Sequence, residues 1–160
     1  MNQIMEQYYP TFEMYQALRR QLLDILEDAD LSFQPGGDNP TLGALCREIG
    51  EVEVSYTDSF KQWKQDFSYR HPEPAEMETS VARLRTWYAE LDAELKQTVA
   101  ALTDEDLATK MINRGPEFKL PPRINLTIYT EALLIFYGKV SVYLRAMGKE
   151  LPQQWQDWIG

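Results

Sequence analysis

One cysteine and one histidine among 160 residues remove much of the chemistry available to a small protein. Cys46 alone allows neither an intrachain disulfide nor a cysteine-only zinc site. It stands among apolar residues of a predicted helix and reads as a small core side chain. His71 lies in a loop before Pro72 without the orienting partner that a general acid or base needs, and reads as an exposed loop residue. No apolar run approaches the ~18–20 residues of a membrane span; "ALLIF" at 132–136 is far shorter. No secretion-type leader opens the sequence, so the expected compartment is the cytoplasm. Basic clusters are missing too. With 16 Lys and Arg against 25 Asp and Glu, the formal charge of −9 excludes nucleic acid and anionic membranes as expected partners. There is no Gly-rich phosphate loop, nucleophile elbow or paired-cysteine motif.

What is present is core material. The chain is 44% hydrophobic and 12% aromatic, and its length suits a single domain over residues 1–160, burying roughly 70% of its unfolded-chain surface. Helix one is predicted over 11–27, with Tyr15, Leu18, Leu22, Ile25 and Leu26 on one face. Pro35-Gly36-Gly37 breaks the chain. Asn39 followed by Pro40 suits the start of helix two, which carries Leu42, Leu45, Ile49, Val52, Tyr56, Ser59 and Trp63 to about Asp66. Helix three is read over 74–102 as one piece, from Met77 and Val81 through Leu84, Trp87, Tyr88, Leu91 and Leu95 to Val99. Thr103 suits a cap for a short helical turn. The Pro- and Gly-rich residues 111–123 read as an irregular connection with room for a short extended piece. Helix four follows over 125–147, closed by Gly148 and Pro152, and the tail through Trp155 and Trp158 forms a single helical turn. Four one-sided helices pack most simply as an all-α, antiparallel four-helix bundle with a short C-terminal turn.

The last long helix, "EALLIFYGKVSVYLRAMGKELP" from Glu131 to Pro152, resembles the final bundle helix of the DinB/YfiT-like family, whose pattern is "HxxxHxGQ…YLR…G…P". Gly138, "VYLR" at 142–145, Gly148 and Pro152 stand in matching places. "LRRQLLDILEDADLSFQPGG" is similar to the family's first helix and its following loop, and "TLGALCREIGEVE" to "(S)LGxLLxHIAxxE". The resemblance implies a DinB-like bundle and a homodimer. In metal-bearing relatives it also implies a divalent ion held by one histidine of helix two and two of helix four, used in several of them to activate a thiol. Carried over by position, those ligands become Glu48, Ala132 and Phe136. A three-histidine site cannot be built here, so no cofactor is expected.

Two function classes remain. The first is a metal-free binding or interaction module. Tyr56, Tyr129, Phe136, Tyr137 and Tyr143, with Glu48, Glu131 and Ala132, either line a small-molecule pocket in the bundle interior or fill it as packed core. The second is a divergent metal-dependent enzyme, a thiol transferase or a hydrolase, using Glu48, Glu51 and Glu131 as carboxylate ligands. Convergence of those carboxylates on the interior separates the two classes. Tyr8-Tyr9-Pro10, Trp155 and Trp158 serve either as a partner surface or as caps on the ends of the bundle.

Overall fold

Asn2 explains how the chain begins to fold. Its side-chain oxygen accepts from the Met5 amide at 3.1 Å, starting α1 (Gln3–Gln7), while its amide nitrogen donates to the Val99 and Leu102 carbonyls at 2.7 and 2.9 Å. The computed structural model describes residues 1–160. α2 (Tyr9–Ile25) begins two residues earlier than its periodicity indicates, because Pro10 suits a first helical turn. A 3-10 turn over Asp28–Ser32 follows.

α3 (Leu42–Gln62) is capped by Thr41, whose hydroxyl accepts from the Ala44 amide at 3.1 Å. Asn39, the expected cap, instead closes its own loop onto the Gly36 carbonyl at 2.8 Å. α3 stops at Trp63, which takes a left-handed φ of 57°, rather than running on to Asp66. Residues 64 and 65 leave the helix to bridge Asn113: the Gln65 amide donates to the Asn113 carbonyl at 2.8 Å.

The predicted third helix is two helices. α4 (Pro74–Thr79) ends at Ser80, whose extended backbone interrupts the helix and whose hydroxyl caps α5 (Val81–Ala100). Thr103 caps the short α6 (Asp104–Thr109) through a reciprocal capping box with Asp106. The irregular connection holds a β-hairpin, β1 (Ile112–Gly115) against β2 (Phe118–Leu120), with an irregularity between Asn113 and Gly115. α7 (Pro122–Ala146) is the longest helix, and α8 (Gln153–Trp158) is the tail turn, with Trp155 fully buried. The Trp155 indole donates to the Leu18 carbonyl at 3.1 Å, so the tail is pinned to α2.

α2, α3, α5 and α7 form the four-helix bundle. Round the ring, α2 packs on α5, α5 on α3, α3 on α7 and α7 on α2. Tyr8 meets Arg123, Phe12 meets Tyr129 and Tyr15 meets Tyr137, so α2 and α7 run in one direction. Cys46 meets Tyr88 and Lys61 meets Glu94, so α3 and α5 share the other. The antiparallel relation is therefore between these two pairs. Because α3 and α5 are parallel neighbours, residues 63–80 travel back along α3 as a strap before α5 begins. Gly50 permits close packing between them: a Cβ there would lie 2.4 Å from the Trp87 ring. No helix is long and apolar enough to cross a membrane.

Candidate functional site

α3 and α7 part slightly at the positions matched to the lost ligands. Leu45, Glu48, Ile49 and Val52 from α3 face Ala132, Ile135, Phe136 and Lys139 from α7 across a groove of about 180 Å³. Helical spacing produces both walls, since each set recurs at three- and four-residue steps. Glu48 and Lys139 are exposed, and neither has a hydrogen-bond or ion-pair partner within the chain. They are the charged groups of an otherwise apolar lining.

On the far side of Glu48, a second hollow of about 360 Å³ lies between α3 and the strap, lined by Arg47, Glu51, Ser55, Phe67 and Arg70. Its cations are engaged. Arg47 reaches Glu51 at 2.5 Å and Glu78 at 2.6 Å, and Arg70 donates to the Phe67 and Tyr69 carbonyls at 2.8 and 2.6 Å. The other Glu51 oxygen accepts from the His71 amide at 2.8 Å. His71 is half-buried, with its ring 4.8 Å from Trp87 and Nδ1 accepting from the Glu73 amide. It is therefore a strap anchor, not the exposed loop residue expected, because the strap lies against α3. Cys46 is buried, and burial pushes its thiol up to about 12, which leaves it inert.

The three carboxylates proposed as ligands do not converge. Glu48 and Glu131 are exposed, and Glu51 is held by Arg47 and the strap. Nowhere do three His, Cys, Asp or Glu side chains gather as a metal site. At the matched positions a carboxylate, a methyl and a phenyl ring meet, and this donor set does not fit the family's metal. Tyr56 and Tyr129 are also not part of the groove. They stack inside the core at 4.7 Å, interplanar angle 22°, with the remaining core packed round them.

Tyr129 leads to a polar layer that crosses the bundle. Its hydroxyl donates to Glu53 Oε2 at 2.6 Å. Arg19 forms an ion pair with the same oxygen, and its Nη2 also reaches Asp92 at 2.6 Å. Gln16 donates to Glu53 Oε1 at 3.0 Å. One layer thus joins α2, α3, α5 and α7. Arg19 and Glu53 are fully buried. The Arg19 guanidinium lies 4.3 Å from the Tyr88 ring centre, and its Nε and Nη1 have no hydrogen-bond partner. Burial pushes the Glu53 carboxyl up to about 6, against the pull of Arg19. Burial opposes the Arg19 charge as well, but Glu53, Tyr129 and Asp92 keep the guanidinium well above its ordinary value.

The DinB superfamily pattern matches residues 11–133, most of the chain. The chain belongs to the DinB superfamily. Among solved structures, a DinB-like protein from Bacillus subtilis superposes with a TM-score of 0.69 at 19% identity, covering 94% of this chain and 96% of that one. A mycothiol-dependent maleylpyruvate isomerase superposes with a TM-score of 0.59 at 15% identity, covering 98% of this chain and 75% of that one. At these identities the likeness is one of fold. No curated protein matches the chain.

The polar layer of this DinB-superfamily bundle is not among the sites expected from the sequence. The signal was there in the spacing. Glu53 completes the inward series Cys46, Ile49, Glu53, Tyr56 and Phe60, and Arg19 stands between Phe12, Gln16 and Leu22 on the buried stripe of α2.

Proposed function

We propose that this DinB-superfamily chain is a non-catalytic binding module of the cytoplasm, whose α3–α7 groove takes a small amphipathic ligand at the place the family uses for metal. The donor set carries this reading: only Glu48 offers a ligating atom, while Ala132 and Phe136 form apolar wall. A tight transition-metal site needs three or four protein donors, and one exposed carboxylate falls well short of that. An apolar lining that keeps one carboxylate and one ammonium unpaired suits a ligand with an apolar body and a charged head. The groove's ~180 Å³ is smaller than the usual range for drug-sized ligands, so the ligand is small.

The test uses two probes on the same protein. An anionic naphthalene fluorophore should bind the wild-type chain and lose its signal in A132F, which fills the groove. Zinc or nickel should leave the melting temperature unchanged. A metal-induced rise that E48Q removes would reinstate a metal-dependent enzyme, and absence of fluorophore binding would remove the groove as a ligand site.

A further inference from the structure

The strap does not lie flat on α3. Between Phe67 and Arg70 on one side and Arg47 to Ser55 on the other it leaves the hollow of about 360 Å³, a volume within the range of small-molecule sites. Its walls are fixed. Glu51 is buried, accepts from the His71 amide of the strap and meets Arg47, which also holds Glu78. Ser55, buried as well, donates its hydroxyl to the Glu51 carbonyl. Only Glu48 and Val52 border both this hollow and the α3–α7 groove.

Two charges in the hollow are left over. Arg47 and Glu51 offset each other, but Glu48 has no partner in the chain. Arg70 reaches only the uncharged Phe67 and Tyr69 carbonyls, which orient its guanidinium without neutralising it. Both bonds use Nη1, so Nε and Nη2 remain as a fork of the shape that takes a carboxylate. Glu48 and Arg70 are both exposed and line the same hollow, yet they do not pair with each other. Opposite charges held apart across a cavity are completed by a molecule that carries both. Phe67 supplies the third feature. Its ring is 46% exposed and packs on Tyr56, centres 5.8 Å apart, with the Arg114 guanidinium 5.7 Å from its own centre. Together with Val52 it gives the hollow an apolar side.

We propose that this hollow binds a free α-amino acid with an apolar side chain. The ammonium of the ligand meets Glu48, its carboxylate enters the Arg70 fork, and its side chain lies against Phe67 and Val52. The mixed lining also sets the specificity. A simple anion of the same shape leaves Glu48 unpaired and is repelled by it, and a simple cation meets Arg70 in the same way. The site goes beyond the groove reading and stands without it. The groove ligand enters between α3 and α7, whereas the amino acid enters between α3 and the strap.

NMR chemical-shift titration with L-phenylalanine tests the site, with hydrocinnamate and phenethylamine as probes that each keep one charge. The wild-type chain should bind L-phenylalanine with shifts at the Ser55 and His71 amides, and each single-charge probe should bind at least about tenfold more weakly. R70Q and E48Q, both at exposed positions, should each weaken L-phenylalanine by about the same factor. The spectra of these variants without ligand report that they are folded. A132F, which fills the α3–α7 groove, should bind L-phenylalanine as the wild type does, whatever the naphthalene fluorophore does. No shift up to about 10 mM L-phenylalanine, single-charge probes that bind as well, or binding indifferent to R70Q or E48Q would each overturn the proposal. Loss of binding in A132F would place the amino acid in the groove and overturn it too.

Discussion

Tyr129 and Glu53 share a fully buried hydrogen bond: the α7 hydroxyl donates at 2.6 Å to a carboxylate of α3. The same carboxylate oxygen meets Arg19 of α2. A charge buried this deeply is tolerated only while its partners are in place, so this layer controls stability out of proportion to its size.

R19M should therefore destabilise the bundle by about 3–5 kcal/mol at neutral pH, because it leaves the buried Glu53 without its cation and Asp92 with only the more distant, exposed Arg20. Part of that loss should be regained near pH 5, where Glu53 takes up a proton. Urea unfolding of R19M at the two pH values measures this, and an equal loss at both would contradict the assignment.

The wild-type layer also sets a pH dependence opposite to the usual one for carboxylates. Glu53 rises from an ordinary 4.5 to about 6 on folding, because burial outweighs the pull of Arg19. The folded state then binds more protons than the unfolded state between those values. The contribution is fully present below 4.5 and is lost as pH rises through 6, amounting to ~2 kcal/mol. In E53Q this dependence should be missing, so wild-type stability should fall relative to E53Q across that window. Parallel stability curves for the two proteins would refute it.

Gly50 faces the Trp87 ring so closely that an added methyl would lie 2.4 Å from it. G50A should cost about 1–3 kcal/mol through displacement of the ring. Tryptophan fluorescence should shift with it, since Trp87 must move relative to His71 and Tyr88.

Gly138 should behave in the opposite way. G138A leaves its backbone helical and meets no neighbour within the chain, so the fold should gain about 0.5–1 kcal/mol in chemical denaturation. A loss of stability there would mean that the position does not tolerate a methyl group.

The bundle was legible in the sequence because its stripes are long and its breaks are rich in Pro and Gly. The α7 stripe, the Gly148 stop and the tail pinned by Trp155 all stand where periodicity puts them. The misplaced boundaries have local causes. Ser80 interrupts a pattern that stays in phase across it, and Trp63 takes a left-handed conformation that no propensity announces. The candidate site was half legible. Glu48, Ala132 and Phe136 do share one groove, because position along two packed helices fixes them. Periodicity leaves Tyr56 and Tyr129 open between groove and core, since it serves both alike, and packing puts them in the core. The buried Arg19–Glu53 pair was missed because charged residues are read by default as surface.

The strap along α3 has a consequence for how the chain becomes a bundle. It makes α2 and α3 diagonal to each other, and α5 and α7 likewise, so the main helix packing lies entirely between the two halves of the chain. A nascent chain that has delivered α2 and α3 has no bundle face to close, and neither half could be expected to hold together after a cut in the strap. Docking must wait for α5 and α7 to leave the ribosome, which makes assembly a late event dominated by contacts distant in sequence.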